Sequence, residues 1–175
     1  MLLRQGDWSD VFNDCRSEAF HLEIRDDYAV AAESEPFRRF LEGVADDYEW
    51  FLEWERLVSA VTDRSVVMRR VRVVTEPHTD YQRWGLVVAA RNIAAGEDIR
   101  YLPRHLAGEV PPDDWWLLDN ERVVFNLVGE RWRSAGVAIT VDPGIVGYCR
   151  GVQERLWASA VPYAEYAGER VRTMK

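Results

Sequence analysis

Two cysteines and three histidines are all that the 175 residues offer of thiolate and imidazole metal ligands. Cys15 and Cys149 lie far apart and share no metal-ligand spacing, so in a reducing compartment both are expected as buried thiols. His21, His78 and His105 never fall three or four residues from one another, and no His-Glu-x-x-His arrangement exists. Structural or surface roles are expected for them, and no metal or other cofactor. A P-loop, a Gly-x-Gly-x-x-Gly turn and a Gly-x-Ser-x-Gly elbow are equally missing. Basic charge is also short: 22 Lys and Arg against 30 Asp and Glu leave a net charge of −8, which argues against direct nucleic-acid binding through the whole surface. The opening residues MLLRQGDWSD lack the apolar run of a signal peptide, and no later stretch has the length of a membrane span. The expectation is a cytoplasmic protein with no membrane partner.

What is present is an ordinary globular balance, 47% hydrophobic and 30% charged, with eight tryptophans. A chain of this size buries roughly 70% of its unfolded surface and needs no staples. One domain over 1–175 is expected: a mainly helical part over 1–64, a mixed α/β part over 65–162 and a loosely attached polar tail over 163–175. Residues 7–16 predict a short helix capped by Asp7 or Ser9. In 18–28, Phe20, Leu22 and Ile24 alternate with His21, Glu23 and Arg25, the pattern of a half-buried strand. Helices follow from Ser34 to a stop at Gly43 and over 48–62, where Trp50, Trp54, Leu57, Val58 and Val61 recur at helical spacing.

From Val66 the pattern turns to strand, with Val71 and Val73 facing one way and Arg70, Arg72 and Val74 the other. Thr79 caps the next helix, Gly96 ends it, and DIRYL is a second strand. Strand, helix and strand so close together predict a parallel βαβ unit. The stretch 98–128 then holds an antiparallel hairpin, DWWLLD and RVVFNLV around Asn120 and Glu121. A strand at GVAITV and a helix over 145–161 complete the chain. The fold class expected is α/β (α+β): a mixed sheet with a βαβ unit and a hairpin, plus a helical N-terminal third.

Several blocks in order, EAFHLEIRDDY, RVRVVTEPHTDYQRW, NIAAGEDIRYL and DDWWLLDNERVV, resemble the signature of an uncharacterised actinobacterial family. Its members are often encoded beside Xre-type helix-turn-helix regulators, so the resemblance implies a regulatory setting and such a regulator as partner. It carries no site residues. The order of elements is also similar to one half of the phospholipase D-like superfamily, which implies that half-fold and, by analogy, a homodimer. Those enzymes use His-x-Lys-x4-Asp. With Asp119 as the aspartate, the histidine position holds Pro112 and the lysine position Asp114. Proline is no nucleophile and a carboxylate repels phosphate, so the resemblance in shape comes without the chemistry.

Two constellations remain. Arg70, Arg72, Glu76, His78, Asp80, Tyr81 and Arg83 gather where the first parallel strand meets its helix, and the second strand adds Arg100 and Tyr101. Strand ends of this kind bind ligands, and paired arginines hold anions, so Arg70, Arg72, Glu76, His78, Tyr81, Arg100 and Tyr101 form a candidate pocket for a small anionic ligand. The competing expectation is that the arginines pair with Glu23, Asp26 or Asp98. Glu23, Asp26 and Asp27 in HLEIRDD can likewise be read as an acid-base site or as a solvated face. Trp115 and Trp116 must face opposite ways in a strand, so one is a candidate surface anchor for a partner. The function expected is a non-enzymatic regulatory or interaction protein. The alternative is a phosphodiesterase or nuclease-type enzyme using the arginine-rich strand end with His78 or His105 as base.

Overall fold

The computed structural model describes residues 2–4, 8–28, 30–128 and 134–173. In chain order the elements are β1 (Leu2–Arg4), α1 (Trp8–Phe12), β2 (Glu18–Glu23), α2 (Ser34–Leu41), α3 (Leu52–Thr62), β3 (Val67–Val74), α4 (Asp80–Ala94), β4 (Asp98–Pro103), β5 (Trp115–Leu118), β6 (Arg122–Val128), β7 (Ser134–Thr140), α5 (Pro143–Ser159), β8 (Val161–Pro162) and α6 (Tyr163–Thr173). One sheet runs in the order β1-β7-β6-β5-β2-β3-β4-β8. β2, β3 and β4 are parallel neighbours, and every other pairing is antiparallel.

Both faces of this α+β sheet are covered. Phe20, Leu22, Val71, Val73, Trp115 and Leu117 pack under α5 through Val146, Cys149, Val152 and Leu156. On the other face Ala19, Met68, Trp116, Leu118 and Val124 meet Val11 and Phe12 of α1 and Val58 and Val61 of α3. β2 is therefore buried on both sides, which corrects the half-solvated strand expected from its alternation. Helices cover its two faces, while β5 and β3 pair with its two edges. Cys15 and Cys149 are free, buried thiols, and burial raises their pKa to about 12 and about 11.

Local chemistry sets the boundaries. Thr79 Oγ1 accepts from the Gln82 amide at 3.1 Å, and Gln82 Oε1 accepts from the Thr79 amide at 3.1 Å, a capping box that starts α4. Thr79→Ala is expected to cost about 1 kcal/mol in a urea titration; a change within error would show that the box is redundant. Gly96 ends the helix at φ 114, and a Cβ there would sit 2.9 Å from Thr62 Oγ1. The hairpin turns at Asp119 and Asn120, with φ 55 and 57, one residue before the expected pair. Acidic and amide side chains tolerate that left-handed geometry. Asp142 caps α5, accepting from the Gly144 and Ile145 amides at 2.9 and 3.0 Å, so the helix begins at Pro143 rather than 145. The Asp7 cap lies outside the described residues.

The C-terminal segment departs from expectation. Residues 163–173 form a helix, and the buried Tyr166 ring stacks on Tyr101 at 4.8 Å and 7°. Tyr166 joins a buried cluster with Val74, Ala89, Ile99 and Tyr101, which docks a segment whose composition reads as tail.

Candidate functional site: a cavity above two polar rows of the sheet

Strand register builds the site. His21 lies beside Arg70 and Trp116, and Arg70 beside Ile99; Glu23 lies beside Arg72, and Arg72 beside Tyr101. Because side chains alternate, these positions share one face and form two rows across the centre of the sheet. Asp114 and Asn126 extend the second row, joined by a backbone bond from the Asn126 amide to the Asp114 carbonyl at 3.2 Å. Trp50, Phe51, Trp54, Tyr81, Trp84 and Val88 face the rows from the helical side. Between the layers is a cavity of about 380 Å³. Of its lining residues Val30 and Ala32 are the exposed ones, which puts its opening to solvent beside them.

The charges in the rows satisfy one another. Glu23 accepts from Arg70 and from Arg72 Nε at 2.5 Å, while Arg70 reaches Glu97 through Nε at 2.7 Å and Nη2 at 3.1 Å. Arg72 Nη1 donates to the Gly85 carbonyl at 3.0 Å and to Tyr101 Oη at 3.3 Å. A Cβ on Gly85 would lie 3.2 Å from that guanidinium nitrogen, which accounts for a glycine inside α4. Burial alone would raise the Glu23 carboxyl, but the Arg70 and Arg72 charges outweigh it and hold the group at about 2. The Tyr81 hydroxyl donates to Glu33. Burial raises Glu33, and it raises Asp114 to about 6 although the Tyr28 hydroxyl and the Ile24 amide, at 2.8 Å, both bond to it.

His21 stands apart from this pairing. It is 6% exposed, and its ring stacks on Trp116 at 4.1 Å and 9°. Burial drives its pKa down to about 3, so it is neutral and its 3.5 Å approach to Glu23 is no ion pair. Neither ring nitrogen has a hydrogen-bond partner among the described residues, and the same holds for Asn126 Oδ1. Buried polar groups are nearly always paired, so these atoms mark a place where the protein's own bonding is incomplete.

Of the expected pocket residues, the structure brings Arg70, Arg72, Tyr81 and Tyr101 to the cavity. Glu76 and His78 sit elsewhere, with the Tyr166 hydroxyl 3.1 Å from Glu76 and 2.9 Å from His78 Nε2. Arg100 projects to the α5 face, 3.9 Å above the Trp157 ring, because it is one residue out of phase with Tyr101. Trp115 and Trp116 do point to opposite faces, but both are buried, at 0% and 1% exposure. The surface-anchor expectation is therefore corrected: the two faces of this hairpin are both covered, and Trp116 lines the cavity. Glu23 is the anticipated arginine partner; Asp26 instead accepts from Thr75 Oγ1 at 2.6 Å. Residues that sequence reasoning passed over are Glu97, Glu33, Asn126 and the site roles of His21 and Asp114. The one available signal was the shared phase of His21 and Glu23 with Arg70 and Arg72 on strands expected to be near one another.

Fold and cavity together define an α+β chain with a cavity on the polar face of a mixed sheet. The chain belongs to the family described as Domain of unknown function (DUF6879), whose model matches residues 6–168. No curated protein matches it. Nuc, a phospholipase D family member from Salmonella typhimurium, is similar at a TM-score of 0.49 and 11% identity, over 89% of this chain and 87% of Nuc. TrmBL2, an archaeal chromatin protein with a novel mode of DNA binding, is similar at 0.46 and 12% identity over 87% of this chain, which spans 48% of the TrmBL2 chain. Both are distant likenesses in chain path.

Proposed function

We propose that this protein is a non-enzymatic regulatory protein that holds a small molecule in the cavity between the sheet and α3 and α4. The observation that carries the reading is His21, buried at the cavity with no hydrogen-bond partner for either ring nitrogen among the described residues. A stacked, neutral imidazole with free donor and acceptor capacity suits ligand recognition. Proton abstraction suits it poorly, since a base with a pKa of about 3 takes up protons only in strong acid.

A phosphodiester enzyme is the weaker reading. Arg70 and Arg72 are already bound to carboxylates. His105 is exposed on the 104–106 turn, and His78 is engaged with Thr75 and Tyr166. The earlier resemblance supplies a context in which an Xre-type helix-turn-helix partner of an actinobacterial circuit reads the liganded form.

Blocking the mouth tests the reading. Ala32 is an exposed residue of the lining, so Ala32→Trp is expected to obstruct the cavity while leaving the buried core as it is. Wild type incubated with a metabolite extract, washed and denatured, is expected to release a compound that the variant does not retain. Equal retention by both proteins, or none by either, would sink the proposal.

A further inference from the structure

We infer that the cavity takes an uncharged, planar nitrogen heterocycle of nucleobase size, one that presents both an N–H donor and a ring-nitrogen or carbonyl acceptor. The inference rests on the ligand-binding reading above and adds the chemical class.

The shape comes from the walls. On the helical side Trp50 and Trp84 stack at 5.5 Å and 27°, and Tyr81 meets Trp84 edge-on at 5.4 Å. On the sheet side the stacked pair is His21 and Trp116. Aromatic surfaces on both sides favour a flat ring, which gains stacking on each face. The volume of about 380 Å³ is at the small end for ligand pockets, which run to roughly 1,000 Å³. A single fused ring system is the match; an extended chain is not.

The charge state comes from the pairing already made. A phosphate or carboxylate would have to displace Glu23 from Arg70 and Arg72, and would then face Glu33 and Asp114 across the same space. A permanent cation is poorly matched as well, since two guanidiniums already neutralise Glu23 and burial raises Glu33 and Asp114 toward their uncharged forms. A neutral guest disturbs none of these bonds.

The hydrogen-bond requirement comes from the atoms left over. Asn126 Oδ1 can only accept, so it calls for a donor on the ligand. Neutral His21 has one donating and one accepting nitrogen, so it calls for an acceptor and a second donor. An aliphatic guest would leave all three atoms unpaired. The edge of a purine or pteridine offers donors and acceptors side by side.

The test titrates the full chain with adenine, guanine, adenosine monophosphate, choline and decanoate, read by tryptophan fluorescence and calorimetry. At least one free base is expected to bind. Its affinity should fall roughly tenfold in Asn126→Leu, the size of one lost hydrogen bond to a buried acceptor. His21→Phe, which keeps the stack and removes both nitrogens, should weaken it at least as much, with both variants melting cooperatively. Ala32→Trp should abolish binding. The monophosphate should bind more weakly than its free base. Equal or tighter binding of the monophosphate, or binding of choline or decanoate alone, overturns the chemical class and leaves the cavity reading in place. Base binding that ignores Ala32→Trp and Asn126→Leu overturns the class as well, since it would lie outside the cavity. If no probe binds and Ala32→Trp also leaves metabolite retention unchanged, both readings fall.

Discussion

Glu23→Gln is expected to lower the unfolding free energy by about 3–5 kcal/mol, the range found when one partner of a buried ion pair is removed. Glutamine keeps the shape and one acceptor but not the charge. Arg70 would retain Glu97, whereas Arg72 would be left with neutral acceptors such as the Gly85 carbonyl and the Tyr101 hydroxyl. A guanidinium does not escape the penalty by losing its proton, because its pKa is too high. Urea titration at neutral pH measures the loss, and a change under about 1 kcal/mol would mean that the pair is far better hydrated than its burial indicates. The double variant Glu23→Gln/Arg72→Met should recover part of the loss, since removing both charges removes the stranded one.

Asp119→Asn is expected to cost about 2 kcal/mol, because charge-assisted bonds to backbone amides are among the stronger ones. The carboxylate accepts from the amides of Arg16, Ser17 and Glu18 at 3.0, 2.7 and 3.2 Å and from the Ser17 hydroxyl at 2.7 Å. It thereby ties the hairpin turn to the start of β2. Burial acts to raise this carboxyl, but the Ser17 hydroxyl and the three amides bring it down to about 2 from an ordinary 3.8. A depressed acid stabilises the fold fully above its unfolded pKa, and that contribution disappears as pH falls from about 3.8 to about 2. The variant should lose stability at neutral pH and show a flatter acid limb over that window. An unchanged acid limb would mean that the amides are satisfied some other way. Asp119→Ala should cost more, since φ is 55 there and alanine tolerates the left-handed region less well than asparagine.

Much of the architecture was legible because it depends on periodicity and punctuation. The alternation of Arg70, Arg72 and Val74 against Val71 and Val73, the Thr79 cap and the parallel βαβ unit all reappear in the structure. Burial of β2 was not legible, because alternation reports polarity, and here Glu23, Arg70 and Arg72 pair inside while His21 is buried against Trp116. α6 was missed because its docking depends on Tyr166 meeting Tyr101, a contact between residues far apart in sequence. The candidate site was half visible. Four of the seven expected pocket residues reach the cavity, while Arg100 and the Glu76 and His78 pair do not, since proximity along a strand says nothing about which face a residue takes. Glu97 directly follows the Gly96 helix stop, and nothing local marks its side chain as fully buried against Arg70.

The two polar rows also act on folding specificity. Parallel strands rich in valine slide easily, because one valine resembles the next. Here a slip of one residue between β2 and β3 would turn His21 and Glu23 into the layer beneath α5, among Val71, Val73 and Leu117. A slip of two would keep the face but set Glu23 beside Arg70 or Val74 in place of Arg72. Each misalignment strands at least one charge without its partner, so the same residues that line the cavity serve as a vernier, admitting one alignment of the central strands and penalising its neighbours.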